Sequence, residues 1–217
     1  MKLVSIYAGK VREVAHNGRT VPTGIFKEEV TGKVKVTKLN IAGDQQADLS
    51  VHGGVDKAVY AYPREHYDFW KKERSDLDFQ PGIFGENLSI TGLNEENVCV
   101  GDEYKIGSVI LSVTTPRMPC FKLGIKMNDN SMIKRFMDAR KNGFYFKVLT
   151  EGIIEPGDSI TPVGNDGYGL TIDEVIQLYT IKKEDANLLE KAIHAPNLVE
   201  DWKVYFQKKL VQLVKKG

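Results

Sequence analysis

The chain has 217 residues, with 30 lysines and arginines against 29 aspartates and glutamates, which gives a net charge of +1 at pH 7. This balance excludes a general electrostatic attraction to nucleic acid or to acidic membranes, so any anion-binding site must be local. A chain of this length can bury one large hydrophobic core and still leaves room for a small second domain.

The N-terminal sequence MKLVSIYAGKV contains neither a long apolar run nor a small-residue cleavage site, and no other stretch approaches membrane-spanning length. We therefore predict a cytoplasmic protein that binds neither membranes nor nucleic acid. In that compartment a disulfide between the two cysteines, Cys99 and Cys120, is not expected.

Short apolar segments that alternate with polar residues and end at glycine or proline dominate the chain from Lys2 to about Pro162. This period of two is typical of β-strands. The clearest examples are residues 34–41 (VKVTKLNI), 56–63 (DKAVYAYP), 108–113 (SVILSV) and 144–149 (FYFKVL). The pattern predicts a mainly β (α+β) fold built on a β-barrel or a strongly bent sheet.

Two helical segments interrupt the strand pattern. Residues 64–73 place Tyr67 and Trp70 on one side of a helix. Residues 131–143 (SMIKRFMDARKNG) predict a second helix that is capped by Ser131 and stops at Gly143. We expect both helices to cover the ends or edges of the sheet.

The glycine-rich segment VGNDGYG, residues 163–169, marks the best candidate domain boundary, because the period changes from two to helical after it. A capping box formed by Thr171 and Glu174 begins a first helix, the segment DANLLEKAI supplies a second, and a third starts near Pro196. We therefore predict a β-barrel domain at residues 1–163 and a C-terminal three-helix domain at residues 164–217.

Cys120 lies in the segment VTTPRMPCFKL, directly after Pro119 and four residues after Pro116. Because proline cannot donate a backbone hydrogen bond to a sheet, we expect the strand to end at Thr114 or Thr115. Cys120 is then expected to lie outside the sheet.

Arg117 and Lys122 flank Cys120 in sequence, and nearby positive charge lowers the pKa of a thiol towards the reactive thiolate. The Arg117 guanidinium has five donors that suit a phosphate or a metal-bound oxygen, although a plain surface charge is the alternative. Cys99 lies between two apolar residues and is interpreted as a small hydrophobic residue.

Two glycine-containing segments hold further candidate donors. In GDQQADLSVHGGVDKAVYAYP, His52 and Lys57 stand on either side of a glycine pair, an arrangement suited to phosphate. In GIFGENL, the side-chain amide of Asn87 is a candidate donor to a heterocycle. Taken alone, each segment is better explained as a structural turn.

Four segments, HGGVDKAVYAYP, GIFGENL, PRMPC and GFYFKVLTEGIIEPGD, in this order and at these separations, resemble the MOSC domain, which is named for the C-terminal domain of molybdenum cofactor sulfurase. The resemblance is closest to the YiiM-like group. It extends upstream to TGIFKEEVTGKVKV and LNIAGDQQAD, and downstream through the three-helix segment.

The resemblance implies a twisted MOSC-type β-barrel with covering helices, followed by a small three-helix bundle. It further implies that the barrel binds the molybdenum cofactor, a pterin with a phosphate and a dithiolene, and that a cysteine is a ligand to molybdenum. Cys120 occupies that position in the motif. The matching donors to cofactor phosphate, pterin or substrate are Lys27, His52, Lys57, Asn87 and Arg117.

The same resemblance implies a reductase of N–O bonds that acts on N-hydroxylated purine and pyrimidine base analogues. A separate reductase must supply the electrons, because the chain has neither a cysteine set for an iron–sulfur cluster nor a dinucleotide fingerprint. Two alternatives remain open: a sulfur carrier with a persulfide on Cys120, and a docking module that uses Trp202, Tyr205 and Leu213 of the last helix. A homodimer is also left open.

Overall fold

The computed structural model describes residues 1–47 and 53–215. The strands are β1 (Lys2–Ala8), β2 (Arg12–His16), β3 (Arg19–Thr23), β4 (Glu28–Val30), β5 (Val34–Val36), β6 (Val59–Pro63), β7 (Leu88–Thr91), β8 (Glu103–Ile106), β9 (Val109–Pro116), β10 (Phe144–Thr150), β11 (Gly152–Ile154) and β12 (Ile160–Gly164). The helices are α1 (His66–Glu73), α2 (Phe121–Met127), α3 (Ser131–Ala139), α4 (Ile172–Thr180), α5 (Ala186–His194) and α6 (Glu200–Val214), with a 3-10 turn at Val55–Lys57.

One large sheet contains strands in the order β12-β8-β9-β10-β6-β7-β1-β4. Strands β6 and β7 run parallel, whereas the other neighbouring pairs in this sheet are antiparallel. Because α1 lies between β6 and β7 in the chain, it forms part of the crossover that a parallel pair requires.

Residues at the N-terminus close this sheet into a barrel. The Leu3 amide donates to the carbonyl of Asp158 at 2.9 Å, and the Gly157 amide donates to the carbonyl of Leu3 at 2.8 Å. The Ile160 amide donates to the carbonyl of Met1 at 3.1 Å. The start of β1 is thus bonded to the chain that leads into β12, while the end of β1 pairs with β4. The predicted barrel is confirmed.

One hydrophobic cluster fills the barrel and continues into the C-terminal helices. It includes Val113 and Phe146 from the strands, and Val175 and Leu189 from α4 and α5. Trp202, Tyr205 and Leu213 of α6 pack against the same cluster and are partly buried. The C-terminal helices therefore share a core with the barrel, and the boundary between residues 163 and 164 stays a prediction.

A second cluster, rich in aromatic residues, holds α1 and α3 against the outside of β6. The rings of Trp70 and Phe136 are nearly parallel, with planes 6° apart and centroids separated by 5.9 Å. The indole of Trp70 donates a hydrogen bond to the Tyr62 hydroxyl at 2.7 Å. Ile25, Tyr60 and Phe84 of this cluster also line the candidate site.

The strand predictions are confirmed in type, with corrections at three strand ends. The segment 56–63 starts in the 3-10 turn, and its strand begins only at Val59. The apolar segment 34–41 leaves the strand after Val36, and a turn brings Ile41 back beside Val36. Pro116 is the last residue of β9 and pairs with Phe144, so the prediction that the strand ends before Pro116 is wrong. A proline is tolerated at this strand end because the following residue supplies the hydrogen bond. The Arg117 amide donates to the carbonyl of Gly143, which directly precedes β10.

The helix predictions are also confirmed in type, but the predicted ends of α3 are wrong. Ser131 is its first residue rather than its cap, and the Ser131 amide donates to the side chain of Asp129 at 2.8 Å. The helix ends before Arg140, which adopts a left-handed φ of 51°, rather than at Gly143.

In the C-terminal region, the capping box of Thr171 and Glu174 is present at α4. The third helix begins at Glu200, after the predicted start near Pro196. Within residues 1–47 and 53–215, no helix is both long enough and apolar enough to cross a lipid bilayer.

Candidate functional site

A cleft brings together four of the predicted site residues: Lys27, Asn87, Arg117 and Cys120. Its walls come from segments 23–27, 45–47, 84–87 and 117–122, and from strands β6 and β10. Its empty space, counted out to the open mouth, is about 590 Å³. Residues that are far apart in the sequence therefore meet in a single concave site.

Cys120 is half-buried in this cleft and lies directly before α2. Its backbone is extended, with φ −123° and ψ 175°, and lies outside the sheet as predicted. Helix α2 itself was not predicted. Gly124 in the middle of a short segment lowers helix propensity and obscures the apolar period of FKLGIKM.

Arg117 is buried in the wall of the cleft, with 6% of its surface exposed. Its guanidinium carbon lies 5.4 Å from the ring centroid of Tyr60 and 5.3 Å from that of Phe136. Within the described part of the chain, its buried Nη1 has no hydrogen-bond partner. Because an unsatisfied buried donor is unfavourable, this arrangement prepares Arg117 for an anionic or polar ligand.

The charge of Arg117 is maintained in spite of burial. Burial by itself lowers the pKa of the guanidinium, but the electrostatic influence of Tyr60, Tyr145 and Cys120 outweighs it, so that the pKa is raised overall. Arg117 is therefore a permanent positive charge at the cleft.

Four residues hold the backbone of Arg117 in place. The Asn142 side chain donates to the Arg117 carbonyl at 2.8 Å, and the Arg117 amide donates to the Gly143 carbonyl at 3.2 Å. The Gly143 amide donates to Glu95 Oε1 at 2.6 Å. The other Glu95 oxygen bonds to His66 Nε2 at 2.7 Å. No local sequence signal indicated these supports, because they come from segments far from Arg117 in the chain.

A second polar network contains Lys27 and Asn87. The Lys27 ammonium forms a buried ion pair with Asp44 at 2.6 Å, and burial lowers the pKa of Lys27 although Asp44 opposes that change. The Asn87 amide donates to Asp44 Oδ2 at 2.9 Å and to the Tyr7 carbonyl at 3.3 Å, and its oxygen accepts from the Tyr60 amide at 3.0 Å. Asn87 thus organises the cleft wall, and its donation to a heterocycle stays a prediction.

Of the remaining two predicted site residues, only Lys57 is among the described residues, and it does not line the cleft. Lys57 is half-buried at the end of the 3-10 turn, and its carbonyl accepts a hydrogen bond from the Gln46 side chain at 3.1 Å. Gln46 lines the cleft, whereas Lys57 does not belong to the lining formed by the described residues. His52 lies outside the described residues. Both assignments stay predictions.

Two tyrosines that the sequence analysis treated only as strand residues also line the cleft. The rings of Tyr60 and Tyr145 lie on paired strands, with centroids 5.3 Å apart. The Tyr60 hydroxyl donates to the Asn142 carbonyl at 2.7 Å. Burial raises the pKa of both phenols, so they present neutral rings to a ligand.

Lys126 adds a further positive charge near these groups. Its ammonium donates to the carbonyls of Ile25 and Gly82. Burial lowers the pKa of Lys126 from 10.5 to about 8, and the nearby charges of Lys27 and Arg117 act in the same direction. Ile25 lines the cleft, so Lys126 fixes one part of its wall.

The lowered pKa of Lys126 predicts a specific pH dependence. Between about pH 8 and pH 10.5 the unfolded lysine retains a proton that the folded lysine has lost, so the free energy of unfolding rises with pH in this window. Across this window, the free energy of unfolding of the wild type should rise by up to about 3 kcal/mol relative to that of Lys126→Met. Urea unfolding at about pH 7 and about pH 10 measures this gain. The control is Lys134→Met, because the Lys134 side chain is exposed and its loss should leave the pH dependence unchanged. The prediction is contradicted if Lys126→Met shows the same pH dependence of unfolding as Lys134→Met.

The comparisons with known proteins agree with this fold. Residues 48–161 match the MOSC domain. The chain is 31% identical to protein YiiM of Escherichia coli strain K12 over 209 residues, which cover 95% of this chain and 91% of that protein. The crystal structure of YiiM from Geobacillus stearothermophilus superposes with a TM-score of 0.81 and 36% identity, covering 96% of this chain and 98% of that one.

The chain therefore belongs to the MOSC domain family. Since the similarity extends over both the barrel and the C-terminal helices, it is a YiiM-like protein within that family. A protein of Gibberella moniliformis that is named Reductase is 33% identical over 198 residues, which cover 89% of this chain and 35% of that longer protein.

Proposed function

We propose that this protein is a molybdenum-cofactor-dependent reductase of N-hydroxylated compounds, in particular of N-hydroxylated purine and pyrimidine base analogues. The observation that supports the proposal is that the Cys120 thiol shares a cleft with the buried guanidinium of Arg117, whose Nη1 has no hydrogen-bond partner among the described residues. Membership of the MOSC family and the similarity to a protein named Reductase support the same class of activity.

The residues of the cleft suit the cofactor. Molybdenum accepts soft sulfur ligands, and Cys120 offers a thiol from a segment held outside the sheet. The cofactor phosphate needs cationic donors, and both Arg117 and Lys122 line the cleft. Lys27 contributes less, because its ammonium is already paired with Asp44. When bound, the cofactor supplies a two-electron couple that accepts the oxygen of an N–O bond.

In the net reaction, the N–O bond of the hydroxylamine group breaks, two electrons and two protons are consumed, and an amine and water are released. The electrons come from a separate reductase, which is part of the proposal. Cys120 would hold the metal and Arg117 would orient the anionic group of the cofactor, while the rings of Tyr60 and Tyr145 would keep water from the inner wall. We therefore assign the reaction to the part of the cleft that Cys120 lines.

The first test compares the wild type with Cys120→Ala and Cys99→Ala after expression in a host that makes molybdenum cofactor. Cys99 is the matched control because it is also a half-buried free cysteine and does not line the cleft. Mass spectrometry measures molybdenum, and fluorescence of the oxidised pterin measures cofactor. We expect Cys120→Ala to lose metal by about tenfold or more, with the control unchanged.

Equal metal in the two variants would remove Cys120 from its assigned role. A wild type without metal and pterin, even after reconstitution, would overturn the proposed function, and a persulfide on Cys120 would then support sulfur transfer instead. If metal is present, an assay with an N-hydroxylated base and an added electron donor must yield the amine. Absence of that product would refute the proposed reaction.

A further inference from the structure

The hairpin formed by β2 and β3 leads directly into a wall of the cleft. These two strands form a small sheet of their own, separate from the barrel sheet in the described part of the chain. Asn17 and Gly18 connect them with left-handed φ values of 51° and 73°, which suits a tight hairpin turn. Thr23, at the end of β3, lines the cleft. The hairpin therefore extends outward from the cleft wall.

Near its tip, the hairpin makes a ring contact with the residue that follows the candidate metal ligand. The centroids of His16 and Phe121 are 6.2 Å apart, and their planes are inclined by 31°. Phe121 directly follows Cys120, so their Cα atoms lie about 3.8 Å apart. Because Phe121 is 46% exposed, an aromatic surface remains open to solvent beside the thiol.

A second ring contact fixes the base of the hairpin. The guanidinium carbon of Arg12, the first residue of β2, lies 3.5 Å from the ring centroid of Phe26. The ammonium of Lys126 lies 5.8 Å from the centroid of the same ring. The hairpin is thus held at its base by Arg12 and Phe26, and near its tip by His16 and Phe121. These contacts keep the tip over the start of α2.

We propose that His16 and Phe121 form a stacking platform that selects planar heteroaromatic bases as substrates. The inference rests on the proposed function and adds the residues that recognise the substrate ring. Aromatic rings stack on the flat faces of purines and pyrimidines, and this interaction tolerates different bases. Because Phe121 directly follows Cys120, a base stacked on the platform would lie beside the cleft, where Lys122 of the cleft lining offers a hydrogen-bond donor.

Binding of adenine to the purified protein tests the platform without requiring turnover. Adenine has the ring of the substrate class but no N–O bond, so only recognition is measured. On titration, the NMR signals of the His16 ring should shift, whereas those of the exposed His194 on α5 should not. His16→Leu and Phe121→Leu should each weaken adenine binding about tenfold, and Phe121→Trp should retain it.

Substrate selectivity supplies the second readout. In metal-loaded protein, the ratio of kcat/KM for an N-hydroxylated purine to that for N-hydroxyurea should fall about tenfold in Phe121→Leu. Molybdenum content should equal that of the wild type. Failure of the wild type to bind adenine saturably, or an unchanged adenine Kd in both leucine variants, would overturn the platform whatever the metal content. A wild-type protein that binds neither molybdenum nor pterin would instead overturn the proposed function.

Discussion

Replacing Arg117 by methionine is expected to remove cofactor binding and leave the protein folded. The guanidinium is buried between the rings of Tyr60 and Phe136, and its Nη1 has no acceptor among the described residues. An unbranched apolar side chain can fill much of the same space without the cost of burying a charge. The free energy of unfolding should therefore stay constant or rise by about 1 kcal/mol, while bound pterin and molybdenum fall at least about tenfold.

Urea unfolding and the pterin and metal measurements check the two halves of this prediction separately. Arg135→Met on α3 is the control, because that arginine is 43% exposed and pairs with Glu73 at 3.1 Å. It should alter neither quantity appreciably. An Arg117→Met variant that lost several kcal/mol of stability would identify Arg117 as a structural residue, and one with normal pterin content would exclude it from the cofactor site.

Gly143→Ala is expected to lower the free energy of unfolding by about 3 kcal/mol or more. Gly143 has a φ of +65°, and an added Cβ would lie 2.4 Å from the Ala61 carbonyl oxygen and 2.8 Å from a ring carbon of Tyr60. That carbonyl belongs to β6, which pairs with β10, so it cannot move away without disturbing the sheet. Because Gly143 also bonds to Arg117 and Glu95, the variant should lose cofactor as well.

Gly32→Ala separates backbone strain from the steric clash. Gly32 has a similar φ of +75°, but an added Cβ would meet no atom within 4 Å. Its substitution should therefore cost only about 1 kcal/mol. Urea unfolding of the two variants gives the comparison. Similar losses of stability at both positions would show that the close approach at Gly143 has no energetic effect.

The types of most elements could be predicted because their signals are local. The alternation in FYFKVL is enough to identify β10, and Thr171 with Glu174 is enough to place the start of α4. Closure of the barrel could not be predicted in the same way. It depends on hydrogen bonds between Leu3 and Asp158, whose separation in the chain leaves no trace in a short window of sequence.

The candidate site was predictable where a residue lies in a segment with an unusual local pattern or in a motif that the family resemblance covers, as Lys27 and Asn87 do. Arg117 and Cys120 stand among prolines that mark them as unusual, whereas Tyr60 and Tyr145 follow ordinary strand patterns. Alternation shows that a side chain points to a buried face, but it does not distinguish a core from a cleft. The contact between His16 and Phe121 is likewise invisible in the sequence, because only the hairpin geometry brings these rings together.

The pairing of the first strand with residues 157–160 also constrains how the chain folds during synthesis. The strand β1 is synthesised well before its partners β7 and the segment that precedes β12. Until then Leu3, which is fully buried in the finished barrel, lacks both of its neighbouring chain segments. Such distant pairing slows folding and prolongs the exposure of apolar strands. The nascent chain is therefore most vulnerable to aggregation just before the barrel can close.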